Sequence, residues 1–218
     1  RYQMIAMDFM GLGLSTDQGN STSMDQLAQD VDNLARENKI EQSVVMGVSL
    51  GGIVAIQYAL QYPEQVKALI LSGNPHNTQN RELQQVIDDK VKGFLEDDPK
   101  SYYENHVEEI FSAGFVNSKI GKYYADVFKE SFTNDKARTG ARIWDSFKTL
   151  NLDISKIKCP TLVIAGEKDS AYHYSQIISK GVQDGQFESV TDAGHAVCLE
   201  DPINYNMAVA RFLKQIEY

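Results

Sequence analysis

Gly47-Val48-Ser49-Leu50-Gly51-Gly52 sets a serine, with glycine two residues to either side, between a short apolar run and a helical pattern. Upstream, Ser43-Val44-Val45-Met46 is rich in β-branched residues, as expected of a buried parallel strand. Downstream, Ile53, Val54, Ile56, Tyr58, Ala59 and Leu60 crowd a segment that ends at Tyr62-Pro63, where proline stops a helix. Strand, sharp turn and helix together make a nucleophile elbow, whose central residue is strained and whose neighbours two positions away must lack bulk so that the backbones can pass. Gly47 and Gly51 are expected to supply that room. A helix starting after Ser49 also turns its N-terminal dipole and the Leu50 backbone N–H toward any oxyanion formed beside the serine. A glycine-rich turn carrying an ordinary serine would not require strand and helix on these two sides, so Ser49 is read as a nucleophile.

Away from the elbow, Gln3 to Asp8 reads as a buried strand and Gly11-Leu12-Gly13-Leu14-Ser15 as a tight loop. A dinucleotide-binding loop is set aside, because Thr16 stands where the third glycine is needed. Ser23 with Gln26 makes a capping box before Met24, Leu27, Val31, Leu34 and Ala35 at helical spacing. Val66 to Leu71 is a further strand, broken at Ser72-Gly73-Asn74-Pro75. Strand, helix, strand, helix, strand predicts an α/β fold: a mostly parallel sheet with helices on both faces.

From His76 to about Ser155 the texture changes. Four helical stretches, near residues 80–96, 100–112, 118–132 and 135–150, follow one another with no strand between them. The division expected is a core of residues 1–75 and 156–218 with an inserted helical cap at 76–155. Aromatic residues of the cap, Phe94, Tyr102 and Phe132 among them, are candidates to line an apolar pocket, but at helical spacing most should form the lobe's own core. Glu96-Asp97-Asp98 reads as a solvated helix end. The alternation then resumes with a strand at Cys159 to Ala165, a loop at Gly166-Glu167-Lys168-Asp169, a helix near Tyr172 to Lys180, and a strand at Gln186 to Val190. The loop Ala193-Gly194-His195-Ala196 and a helix from Pro202 to Ile216 complete it.

Composition bounds the function. A chain of 218 residues, 42% hydrophobic and 23% charged, is ordinary for one globular core. Its 30 acidic and 21 basic side chains give a net charge of −9, which repels phosphate backbones and anionic lipid, so no nucleic-acid partner is expected. No apolar run approaches the roughly 20 residues of a membrane span, and no signal-peptide pattern opens the chain, which makes a cytoplasmic protein without membrane contact the expectation. Cys159 and Cys198 match no metal spacing and no disulfide framework. No metal or cofactor is implied.

A serine hydroxyl is a poor nucleophile near neutral pH, so it needs a base and a group to orient that base. Asp169 and His195 suit those roles, both falling in loops at the C-terminal ends of strands, the sheet edge that also carries Ser49. Taken alone, Asp169 could cap the following helix and His195 could be a surface imidazole. Taken with the elbow, the order serine, strand-end aspartate, loop histidine is that of one triad arrangement. His76, His106 and His173 have no comparable context.

With these residues in place, the chain resembles the alpha/beta-hydrolase superfamily over nearly its whole length. Asp8-Phe9-Met10-Gly11-Leu12-Gly13-Leu14-Ser15 resembles the family's D-x-x-G-x-G-x-S loop, Gly47 to Gly51 its elbow, Gly166 to Asp169 its acid loop, and Gly194-His195 its histidine loop. Serine at position 49 is unlike the haloalkane dehalogenase and epoxide hydrolase branches, and Gly-x-Ser-Leu-Gly-Gly is similar to esterases, enol-lactonases and carbon–carbon bond hydrolases. The resemblance implies attack by Ser49 on the carbonyl of a small ester, lactone or related acyl substrate, with His195 as base, Asp169 holding the imidazole and Leu50 N–H as one oxyanion donor. Its alternatives are a ligand-binding protein on the same scaffold, or a carbon–carbon hydrolase, lyase or peroxidase-like enzyme using the same three residues.

One departure stands out. The family's sheet begins with three strands before the one read at Gln3 to Asp8, and the loop after the third carries the second oxyanion donor. Without that third strand a gap of about two strand spacings, near 10 Å, opens beside the elbow strand. Either upstream residues are missing, which the reading favours, or the first strand moves over to pair with the elbow strand. A missing donor costs about 10²- to 10³-fold in rate, and an open sheet edge invites self-association.

Overall fold

The computed structural model describes residues 2–17, 23–75, 81–96 and 98–217. His76, the start of the expected cap and Asp97 of the acidic run lie outside the described residues. Four strands, β1 (Ser43–Val48), β2 (Val66–Ser72), β3 (Thr161–Gly166) and β4 (Gly185–Val190), pair in that order and all in parallel. Helix α1 (Met24–Glu37) precedes β1, and α2 (Leu50–Gln61) links β1 to β2. Between β2 and β3 lie α3 (Arg81–Glu96), α4 (Pro99–Ile110), α5 (Ala113–Val116), α6 (Lys119–Ser131) and α7 (Asn134–Phe147). Helix α8 (Tyr172–Gly181) joins β3 to β4, and α9 (Val197–Glu200) and α10 (Pro202–Gln215) follow. No helix among the described residues is long and apolar enough to cross a membrane.

The pleat sorts side chains between two layers. Leu69, Leu71 and Val163 point to one face, where they pack with α1, α2, α3, α7 and α8. Ala68, Ile70, Leu162 and Ile164 point to the other, beneath Val197 of α9 and Tyr205, Ala208 and Phe212 of α10. Each fully buried aliphatic side chain contributes about 1.5–3 kcal/mol relative to leaving it in water. Helix α2 is apolar around most of its circumference and buries Ile53, Val54, Ala55, Ile56, Tyr58 and Ala59, the pattern of a helix enclosed on most sides.

Three expectations are corrected. Gln3 to Asp8 forms no strand: the segment has no regular secondary structure, and Met4 is 77% exposed. Its apolar residues suit a strand, but a ladder needs a neighbour's N–H and C=O groups, and no described strand pairs with it. For the same reason β1 is an edge strand and only half-buried, with Met46 42% exposed. The capping box forms by half: Ser23 Oγ accepts from Gln26 N (3.1 Å), while the Gln26 side chain turns forward and donates to Asp30 (3.0 Å).

The helices between β2 and β3 divide in two. Leu83 and Ile87 of α3 and Ile143 and Phe147 of α7 belong to the same apolar cluster as Ile53 and Leu69 of the sheet layer. Helices α4 to α6 gather on an aromatic core that includes Phe94 of α3, in which Tyr102 packs on Phe94, Tyr102 and Tyr103 face Phe132, and Phe111 packs on Phe115 and Phe128.

Candidate active site

Ser49 follows β1 directly and holds a backbone that few non-glycine residues adopt, with φ +52° and ψ −122°. Such a conformation costs on the order of 1–3 kcal/mol and persists only where surrounding bonds enforce it. They do so here from three sides. Ser49 N–H donates to the Ser72 carbonyl at the end of β2 (2.7 Å), while the Ser49 carbonyl accepts from Gly52 N (3.0 Å) and from the Asn74 side-chain amide (2.5 Å). The first-turn N–H groups of α2, Leu50 included, therefore begin beside the serine, where a helix leaves its amides without internal acceptors.

The steric demand of the turn falls differently from expectation. A Cβ on Gly47 would lie 2.4 Å from the Gly51 carbonyl oxygen, so that position has to be glycine. A Cβ on Gly51 would meet nothing within 4 Å, whereas one on Gly52 would lie 1.8 Å from the Asn74 amide nitrogen. Gly47 and Gly52, not Gly51, make the close approaches.

Asp169 stands three residues beyond β3 with its side chain 1% exposed, and His195 follows β4 at 21%. Asp169 Oδ1 accepts from Ala171 N (2.9 Å) and lies 3.0 Å from His195 Nδ1. With Nδ1–H donating to the carboxylate, Nε2 keeps its lone pair for a proton. The two loops are also tied through backbone, Lys168 N–H donating to the Ala193 carbonyl (2.9 Å). Asp169 thus serves both as an Asx turn into α8 and as partner to the imidazole. Its Oδ2 is buried without a hydrogen-bond partner among the described residues.

Gly73 joins the two halves. A Cβ there would lie 2.8 Å from His195 Cε1 and 3.1 Å from Asp169 Oδ2, and its φ of +63° suits glycine. The His195 ring therefore rests one residue along the chain from the Ser72 carbonyl that holds Ser49. The structure bonds His195 to Asp169 directly and lays Gly73, which follows the Ser72 bonded to Ser49, against both, without a direct Ser49–His195 hydrogen bond among the described residues.

The remaining candidates lie elsewhere. His106 stacks on Tyr102 and His173 packs on Tyr174. Burial pushes the thiols of Cys159 and Cys198 above their ordinary value, which disfavours the thiolate a cysteine nucleophile needs. Among the described residues no three His, Cys, Asp or Glu side chains converge as a metal site. Sequence reasoning missed Asn74 and Gly52. The available signal was an asparagine at the end of the strand beside the elbow strand, where a side chain points at a neighbouring turn.

A family model described as the alpha/beta hydrolase fold matches residues 1–202. The chain belongs to that family. This alpha/beta hydrolase is 22% identical to the AB hydrolase superfamily protein YisY of Bacillus subtilis over 225 residues, covering 97% of this chain and 81% of that one. It is 26% identical to the proline iminopeptidase PfmaB of Pestalotiopsis fici over 221 residues, covering 91% and 77%. Among solved structures it is similar to a thermophilic esterase from Thermogutta terrifontis, with a TM-score of 0.85, 19% identity, and 97% of this chain and 79% of that one covered. Curated relatives of this alpha/beta hydrolase are named as enzymes, hydrolases such as the proline iminopeptidase among them and one a synthase.

Proposed function

We propose that this alpha/beta hydrolase is a serine hydrolase acting on a small carboxylic ester, lactone or related acyl compound, with Ser49 as nucleophile, His195 as base and Asp169 as the group that orients the base. The observation that carries the reading is Ser49 itself, held at φ +52° at the N-terminus of α2 and hydrogen-bonded to Ser72, whose neighbour Gly73 lies against the bonded His195–Asp169 pair. Neither a surface turn nor an isolated histidine calls for that strain in that place.

In the proposed reaction Ser49 Oγ bonds to the substrate carbonyl carbon while His195 Nε2 takes its proton. The oxyanion is met by the Leu50 N–H at the head of α2. Collapse of the intermediate expels the alcohol, or opens the lactone, with the proton returned from His195. Water then adds to the acyl-enzyme, giving its proton to His195, and the acid leaves as Ser49 Oγ regains a proton. The serine–histidine hydrogen bond forms as substrate enters, as catalytic bonds that are long or misaligned in the free enzyme often do.

The test is mass-spectrometric mapping of a fluorophosphonate on the chain, with Ser49→Ala as control. Labelling confined to Ser49 and absent from the variant supports the reading, and a panel of esters and lactones then identifies the substrate. A folded chain that stays unlabelled, and remains so with upstream sequence from its relatives added, overturns it in favour of a binding role.

A further inference from the structure

The histidine loop is held from the side opposite Asp169 by the turn between α4 and α5. Ala196 N–H donates to the Ile110 carbonyl (2.8 Å). Ser112 N–H donates to Glu200 Oε1 (3.0 Å), and the Ser112 hydroxyl donates to Glu200 Oε2 (2.5 Å). A Cβ on Gly194 would lie 2.6 Å from Ser112 N and 2.7 Å from Glu200 Oε1, so the two backbones are in contact. The residues on either side of His195, and the end of the short helix that follows it, thus all engage residues 110–112. Phe111, fully buried between Phe115 and Phe128, anchors that turn in the aromatic core of α4 to α6.

We propose that Glu200 is a positioning residue: its carboxylate buckles the α4–α5 turn onto the histidine loop and couples the placement of the α4–α6 helices to the aim of His195. The inference rests on the reading of His195 as the base. A carboxylate that accepts two bonds is a charge-assisted fastening, stronger than the neutral bond between Ala196 and Ile110 beside it. Among the described residues the His195 ring is hydrogen-bonded through Nδ1 alone, to Asp169, so its orientation about that bond depends on what holds the loop backbone. The Ser112–Glu200 fastening and the Ala196–Ile110 bond supply that hold. Displacements near 1 Å at a catalytic group are enough to lower a rate by about 10²-fold.

The test combines Glu200→Ala, Ser112→Ala, the double variant and Glu200→Gln. Two readouts are taken, amide hydrogen exchange at residues 194–200 and the rate of fluorophosphonate labelling at Ser49, with kcat and KM on an ester once one is found. Glu200→Ala is expected to speed exchange at the Ala196 amide and to slow labelling by about 10- to 100-fold, the loss appearing in kcat with KM little changed. Ser112→Ala keeps the Ser112 N–H bond to Glu200 while losing the hydroxyl bond and the cap on Phe115 N; it slows labelling less than Glu200→Ala, and the double variant slows it no more than Glu200→Ala does. Glu200→Gln, which keeps an acceptor for Ser112 N–H and can donate to the hydroxyl, recovers part of the loss. Unchanged exchange at Ala196 in Glu200→Ala, or faster exchange with labelling as in the unmodified chain, overturns the proposal while leaving Ser49 chemistry standing. Failure of the unmodified chain to label strikes the hydrolase reading instead, and takes with it the role assigned to Glu200.

Discussion

Asn74 is wholly buried, with its amide nitrogen on the Ser49 carbonyl and its Oδ1 without a partner among the described residues. An unsatisfied buried oxygen costs about 1–3 kcal/mol, a cost offset here by holding the serine in a backbone it would otherwise leave. Asn74→Ala is therefore expected to slow labelling of Ser49 more than its effect on stability would explain, which parallel labelling and urea-unfolding measurements would separate. The glycines give a sharper contrast. Gly51 sits in the first turn of α2 with open space where a Cβ would go, and glycine inside a helix costs about 0.5–1 kcal/mol relative to alanine. Gly51→Ala should raise the unfolding midpoint or leave it unchanged, whereas Gly52→Ala should lower it, because the new methyl group overlaps Asn74. If both substitutions destabilise alike, the packing described around the elbow is wrong. Ser49, Asp169 and His195 were legible as candidates because each sits at a strand end in an order chemistry recognises. Asn74 and Gly52 were not, since their importance comes from touching each other across a turn, and a single sequence does not display such contacts.

Among the elements, α1 shows the same limit in a charged residue. Its apolar residues at helical spacing and Ser23 at its head made it readable from sequence, and the structure places it over α2. Periodicity gives Asp32 no special place, yet it is buried at 2% exposure and accepts from Arg36 Nε (2.7 Å), Gln65 Nε2 (2.7 Å) and Gln29 Nε2 (3.2 Å). Gln29 and Gln65 in turn accept from Tyr62 and Tyr58, so one carboxylate ties α1 to the end of α2 and the turn at Pro63–Gln65. Burial alone would raise the Asp32 pKa, but the bonds from Arg36, Gln65 and Gln29 outweigh it and hold the carboxyl below its ordinary value. The sign of the pH effect follows. The unfolded chain binds the proton first, near pH 4, so the contribution of Asp32 is complete above that pH and disappears as pH falls through the lower folded value. Asp32→Asn is expected to destabilise the protein by about 1–3 kcal/mol at neutral pH, as a buried hydrogen-bonded acceptor is replaced, and to flatten the acid limb of stability below pH 4. Urea midpoints measured from pH 3 to 7 on both proteins would show it, and parallel curves across that range would refute it.

For the whole molecule, the described helices between β2 and β3 differ in what they pack against. The sequence places a helical region between two strands correctly, because helix and strand periods differ locally. Which of those helices face the sheet depends on contacts between residues far apart in the chain, and the run at Gln3 to Asp8 misleads for the same reason, its strand character needing a neighbour the structure does not give it. Ile143 and Phe147 are fully buried in one cluster with Leu69 and Ile53, so α3 and α7 pack on the sheet layer, while α4 to α6 pack on one another's aromatic side chains and on Phe94 of α3, and engage the histidine loop at the Ile110–Ser112 turn. Unfolding should follow that division. Phe147→Ala removes a buried ring at the centre of the shared cluster and is expected to cost about 3–5 kcal/mol, speeding exchange of β2 and β3 amides as much as those of α7. Phe128→Ala removes a ring from the α4–α6 cluster, and should open amides of α4 to α6 while leaving β2 and β3 protected. Hydrogen exchange resolved by segment decides the matter: if the strands are loosened equally by both substitutions the molecule is one cooperative unit, and if Phe147→Ala spares them, α7 belongs to the lobe after all.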